Sequence, residues 1–249
     1  MRDWNYENEQ WTQLPPHLKH LPLFTRQFDL TSWFFRALWG LWLKAWAFRF
    51  YVRLEVVGDF HKLHREHPRL LLISNHASHL DAVSIAAAVP FQYWSQLYIT
   101  AAKDYWLGAI PIDRMDRKGE AIKLCTTLLE NLPRIWLILF PEGTRSKDGY
   151  INTFKRGVSL FAIRTDSPIL FLYLEGNNAL WPKGRLIPFP GKLKIHVGPV
   201  PPPGPIEDIY EAYRKWVVQI NPNAYRPADQ PDTEDDYPQN NAADNLEDD

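Results

Sequence analysis

Residues 135–140 read Ile-Trp-Leu-Ile-Leu-Phe, six apolar side chains without polar alternation, and the chain breaks at once into Pro-Glu-Gly. A run this short cannot cross a membrane, and it has no face to offer water. It fits a strand inside a parallel sheet covered on both faces. Other segments set the same rhythm. Residues 53–57, 70–74, 96–100, 169–174 and 192–197 read as strands. Residues 80–89, 118–131, 157–165 and 206–220 read as helices, the first two stopped by Pro90 and Pro133. The alternation predicts an α/β domain. The 249 residues suit one such domain over 53–226, with an N-terminal segment 1–52 and a tail 227–249. Eight of the 21 prolines lie between Pro182 and Pro205, which predicts a rigid, irregular connection there.

Charge is unevenly placed. Nine carboxylates and no Lys or Arg lie between Asp229 and Asp249, so the tail is expected to be disordered. Residues 1–228 keep 28 basic against 20 acidic groups, a body of +8 that suits anionic partners. The single cysteine, Cys125, excludes an internal disulfide framework and a cysteine-ligated zinc site. Residues 1–30 lack the basic start and apolar core of a secretory signal.

Residues 30–52 are the most aromatic part of the chain. On a helix, Phe35, Trp39, Trp42 and Trp46 fall within an arc of about 60°. Length alone would allow a span, but Lys44 sits mid-stretch with Arg36 and Arg49 on either side, and a charge at the bilayer centre costs about 2.5–3.5 kcal/mol. Tryptophans beside basic residues fit the headgroup level. The segment therefore reads as a helix, or a helical pair bent at Gly40, lying in the membrane interface. The competing reading is an aromatic core helix of a soluble protein.

Three segments carry residues suited to chemistry. Ser74-Asn75-His76-Ala77-Ser78-His79-Leu80-Asp81 follows a strand and precedes a helix, the place where α/β sheets build sites. With His76 in the turn and Asp81 in the first helical turn, the carboxylate can hold one imidazole nitrogen and leave the other as a general base. His79 competes for that role. Phe140-Pro141-Glu142-Gly143-Thr144-Arg145-Ser146 offers a tight turn, hydroxyls, and an arginine fork for phosphate; an internal Arg–Glu ion pair is the plainer alternative. Gly108-Ala109-Ile110-Pro111-Ile112-Asp113-Arg114 delivers another arginine, or is an ordinary surface turn. His61, His64 and His67 recur every three residues, which spreads them around a helix and predicts a solvated face instead of a metal site. There is no GxSxG nucleophile elbow, no Walker A sequence and no Rossmann fingerprint.

Taken together, the three segments resemble the glycerolipid acyltransferase family, whose best-known members are 1-acylglycerol-3-phosphate acyltransferases. Asn75-His76 through Asp81 matches the family's NHxxxxD motif, Gly108–Arg114 is similar to its second motif, and Phe140–Ser146 matches FPEGTRS without a change. Lys103 resembles the lysine that precedes the second motif, and Phe154-Lys155-Arg156-Gly157 is similar to the FKxG stretch after the third. The fourth motif departs: Phe171 stands where a second proline is usual, which puts the acceptor in question.

The resemblance, which spans roughly residues 53–200, implies a mixed sheet flanked by helices, with a membrane-facing element before it. It implies direct transfer of an acyl group from acyl-CoA or acyl carrier protein to a lysophospholipid hydroxyl, with no cofactor and no metal. His76 and Asp81 would be catalytic. Lys103, Arg114, Glu142, Gly143, Thr144 and Arg145 would bind substrate, Glu142 by holding the loop or a glycerol hydroxyl, and backbone N–H groups near Gly143 would meet the oxyanion. The implied partners are membrane lipid at the cytoplasmic face and the thioester carrier, not nucleic acid. Two rival readings stand beside it: a same-fold enzyme for another lysolipid or lipid alcohol, and a catalytically silent lipid-binding protein. The intact His76, Asp81, Glu142 and Arg145 speak against the second.

Overall fold

The computed structural model describes residues 38, 40–102, 110–112, 120–182 and 184–227. The acidic stretch from Asp229 onward and most of the aromatic N-terminal segment lie outside these residues. What is described of that segment is helical through Gly40, which is buried, and continues as a π-helix over Leu43–Tyr51. A side chain at Gly40 would come within 3.0 Å of the Trp94 ring.

The strands are β1 (Val52–Val57), β2 (Arg69–Ser74), β3 (Leu97–Ala102), β4 (Ile110–Ile112), β5 (Ile135–Leu139), β6 (Ile169–Glu175) and β7 (Gly191–Val197). The helices are α1 (Phe60–Glu66), α2 (Asp81–Ala88), α3 (Glu120–Asn131), α4 (Gly157–Thr165), α5 (Asn177–Leu180) and α6 (Ile206–Ile220), and a 3₁₀ turn runs over Phe91–Gln96. One seven-stranded sheet takes the order β1-β7-β6-β2-β5-β3-β4. Every neighbouring pair is parallel except β6 with β7, so β1 and β7 run against the other five strands. The sheet is mixed, as the resemblance implied.

The unbroken apolar run has its explanation in the two faces of this sheet. Ile135, Leu137 and Leu139 of β5, with Leu71 and Ile73 of β2, join the core under α3, α4 and α6. Trp136 and Ile138, with Leu70 and Leu72, join the opposite core with Phe60, Ile85 and Phe48 of the π-helix. Alternate residues point to opposite faces, and both faces are covered, so a polar residue at any of these positions would be buried without water. The segment 110–112, read in sequence as a turn, is an edge strand registered on β3 from Thr100↔Ile110 to Ala102↔Ile112. Three residues give periodicity nothing to detect.

Leu137 is fully buried and lies opposite Leu71 and Tyr98 on its two neighbouring strands. Leu137→Ala is expected to lower the unfolding free energy by about 2–5 kcal/mol, seen as a lower urea midpoint at unchanged slope.

Candidate active site

The central strands β6, β2 and β5 are parallel neighbours, and the loops leaving their carboxyl ends build the site. Asn75 extends the ladder one residue beyond β2 with its side chain. Its amide donates to the Leu174 carbonyl at 3.1 Å and accepts from the Leu174 N–H at 2.8 Å. Its backbone N–H donates to the Tyr213 hydroxyl, which donates in turn to the Leu172 carbonyl. The turn that follows therefore starts from a fixed point.

His76 and Asp81 are brought together. His76 Nδ1 lies 2.8 Å from Asp81 Oδ2, and the same oxygen accepts the backbone N–H groups of Ala77 and Ser78, each at 2.9 Å. Asp81 Oδ1 accepts from the Asn177 amide at 2.8 Å. Four donors thus meet a fully buried carboxyl group. The Nδ1–H tautomer of His76 is the one that donates to it, leaving Nε2 as the basic nitrogen. The His76 ring stacks on Phe140, centroids 4.1 Å apart and planes 19° from parallel, and its side chain keeps 21% exposure.

The second loop grips the first. Glu142 Oε1 accepts the His76 N–H at 2.7 Å, and the Ser146 N–H donates to the His76 carbonyl at 2.7 Å. Glu142 Oε2 takes both the backbone and the side-chain N–H of Asn152, at 3.0 and 3.1 Å. Both of its oxygens are thus occupied by protein donors, and it holds the loops together; a contact with a glycerol hydroxyl is not what this geometry provides. Burial pushes its pKa up to about 8, with the Asp81 charge adding to the rise, against the three N–H donors. Gly143 turns the chain with φ +74°, a value that favours glycine, and its N–H donates to the Phe140 carbonyl at 3.1 Å. That N–H is therefore already engaged. Thr144 is half-buried. Arg145 is half-buried too, and carries a buried guanidinium nitrogen with no hydrogen-bond partner among the described residues.

The rival base, His79, follows His76 by three residues. Its ring leans on Trp181 and lines an apolar cavity of about 420 Å³, together with Trp42, Phe48, Tyr51, Val83 and Ile187. Burial lowers its pKa, and the Arg145 and His76 charges lower it further. Lys103 and Arg114 lie outside the described residues. Phe171, the departure in the fourth motif, packs edge-on against Tyr213 at 5.2 Å in the core beneath α6, away from the cavity walls. Its place is a packing position. His64 also departs from expectation: it stacks on Tyr93 at 3.7 Å and is half-buried, whereas His61 is exposed as predicted.

Sequence patterns missed Asn177 and Asn152. Asn177 follows β6 at the edge where its neighbours carry chemistry, and that position was its one available signal; Asn152 has none.

A sequence model of the family described as Acyltransferase matches residues 55–174. That segment resembles the acyltransferase family, as the curated relatives do. The chain is 33% identical over 141 residues to the 1-acyl-sn-glycerol-3-phosphate acyltransferase of Limnanthes douglasii, covering 51% of this chain and 48% of that one. To the mouse 1-acyl-sn-glycerol-3-phosphate acyltransferase alpha it is 31% identical over 163 residues, 59% of this chain and 54% of the relative. The chain thus spans about half the length of these curated relatives. A solved structure, that of the 1-acyl-sn-glycerophosphate acyltransferase PlsC from Thermotoga maritima, superposes with a TM-score of 0.58 at 22% identity, over 79% of this chain and 84% of that one. That likeness shows the acyltransferase fold. The family segment begins in β1 and ends in β6, and so takes in both loops that hold His76.

Because Glu142 binds its proton more tightly folded than unfolded, its contribution to stability falls as pH rises from about 4.5 to about 8. Comparing urea midpoints of the wild type and Glu142→Gln across that window should show the wild type losing stability relative to the variant as pH rises. Parallel curves would mean that Glu142 stays a carboxylate throughout.

Proposed function

We propose that this chain is an O-acyltransferase that moves a fatty acyl group from a thioester to the free hydroxyl of 1-acylglycerol-3-phosphate, giving phosphatidic acid. The observation that carries the reading is the His76–Asp81 pair, with a basic Nε2, beside a loop that carries Arg145. Homologues named for this activity, at about 30% identity, support it.

His76 Nε2 takes the proton of the acceptor hydroxyl as that oxygen attacks the thioester carbonyl. The imidazolium formed is stabilised by Asp81, whose donors from Ala77, Ser78 and Asn177 keep it from turning away. The tetrahedral intermediate collapses with loss of thiolate, which takes the proton back from His76. A thioester is activated enough for direct attack, so no enzyme nucleophile or cofactor is needed. Arg145, half-buried on the adjoining loop, pairs with the acceptor phosphate in a charge-assisted contact. The apolar cavity beside His79 receives an acyl chain, since its walls offer almost no polar partner. Such substrates reside in a bilayer, and the reading places the chain at a membrane surface. No helix among the described residues is long and apolar enough to cross one.

Purified protein would be given labelled acyl-CoA or acyl carrier protein with 1-acylglycerol-3-phosphate. Phosphatidic acid should form, and His76→Ala should reduce kcat by about 10²–10⁴-fold with far-UV circular dichroism unchanged. Retained turnover in that variant overturns the base. Arg145→Ala should raise the acceptor KM about tenfold or more while leaving the thioester KM in place. Product from a different lysolipid or lipid alcohol, with none from this acceptor, overturns the acceptor alone.

A further inference from the structure

Between α5 and β7 the chain makes an excursion with closed ends. The Phe189 N–H donates to the Leu180 carbonyl at 2.7 Å, and the Trp181 indole donates to the Arg185 carbonyl at 2.7 Å. At its start the Ser78 hydroxyl donates to the Trp181 carbonyl at 2.9 Å, tying the excursion to the turn that carries His76. At its far side the Tyr51 hydroxyl of the π-helix donates to the Pro188 carbonyl at 2.8 Å. The base is fixed on all sides, yet the tip presents Leu186 at 92% exposure and Ile187 at 71%, followed by a half-exposed Phe189. Soluble surfaces tolerate single exposed apolar residues, but here three of four consecutive positions on a pinned tip expose hydrocarbon, and among the described residues Leu186 is almost wholly uncovered.

We propose that this tip is a membrane-docking loop, inserting Leu186 and Phe189 into the interface of a bilayer that carries anionic lipid. Charge argues for that partner. From Gly176 to Ile206 the sequence has no Asp or Glu, while Lys183, Arg185, Lys192 and Lys194 are basic. Arg185 lies over the Phe189 ring at 3.6 Å, so its cation rides with the apolar tip at the level where headgroup phosphates would be. Lys192 is registered beside Arg53 on β1, and both are exposed, as is Arg49 at the end of the π-helix. Continuity argues for it as well. Ile187 and Pro188 from the loop, and Trp42 and Tyr51 from the helix, wall the same apolar cavity, so the loop and the helix flank one opening. With the tip in the interface, a lipid chain reaches that cavity without crossing water. The proposal rests on the reading of the substrates as membrane lipids only for this last consequence; the docking itself is read without them.

The full chain supplies its own labelling control. Cys125 is buried and its thiol is pushed up to about 12, so a thiol-reactive dye goes to an introduced cysteine. Leu186→Cys carrying a polarity-sensitive fluorophore would be mixed with vesicles of phosphatidylcholine, with and without phosphatidylglycerol, and no enzyme substrate. Emission should rise several-fold and shift to the blue with phosphatidylglycerol present. The same dye at Lys215→Cys, on α6 at the opposite face, should not change. An unchanged spectrum at 186, or equal changes at both sites, overturns the proposal; the first would mean the tip is covered by protein. A second variant, Leu186→Glu, should bind these vesicles about tenfold more weakly. It should keep turnover on a short-chain acceptor below its micelle concentration while losing it on vesicle-borne acceptor. Equal loss on both would place Leu186 in the site itself and overturn docking. Docking without acyl transfer by any form of the protein would overturn the enzymatic reading and leave the loop's role standing.

Discussion

Asp81 is a carboxylate with no access to water, and the site exists because that burial is compensated. An isolated buried charge would be prohibitive, so its oxygens must be met by donors, and the donors found are His76 Nδ1, two successive backbone N–H groups and the Asn177 amide. Three of them lie within residues 76–78. Satisfying the carboxylate therefore dictates the shape of the turn, and the shape of the turn dictates where His76 points. The fourth comes from the start of α5, just beyond β6 and ninety-six positions away in sequence, and ties the turn to a second loop. Catalytic geometry and polar satisfaction are here one requirement.

Glu142 plays the reciprocal part from the adjoining strand. It leaves β5 and clasps the backbone of His76, while Ser146 from the same loop donates to the His76 carbonyl. His76 is thus held at its ring by Asp81 and Phe140 and at its main chain by Glu142 and Ser146. That arrangement needs β2 and β5 to be adjacent and parallel, because only then do both loops leave the same end of the sheet. Adjacent parallel strands in turn need helices on both faces, which returns to the unbroken apolar runs of β2 and β5. The requirement for a dry sheet interior and the requirement for two meeting loops are satisfied by the same residues.

What a sequence can disclose follows from range. β2, β5 and β6 were legible because each is a local apolar run, and the His76–Asp81 pairing was legible because both partners lie in one turn and its helix. The role of Glu142 was half legible: the motif marks it, but its partners are a backbone N–H sixty-six residues away and Asn152, neither of which leaves a pattern. Asn177 was missed for the same reason. That the sheet is mixed was implied only by family resemblance, and the reversal of β7 against β6 left no signal, since strand direction is set by connections and not by composition. Phe171 misled in the other direction. Read as a change in a motif, it pointed toward the acceptor, whereas its ring meets Tyr213 and Trp216 in the core.

The turn also divides the site by polarity. His76 lies toward Glu142 and Arg145, and His79, three residues on, lies on the wall of the apolar cavity. Burial and the nearby Arg145 charge disfavour protonation of His79. A neutral imidazole is what an apolar wall can accept without an ion-desolvation cost, whereas a cation there would repel hydrocarbon and Arg145 alike. The same positive charge that suits a phosphate on one side thus helps keep the other side uncharged. In the reaction proposed above, His76 at this boundary is where an anionic head group and an apolar chain meet, and the buried carboxylate that aims it contacts neither.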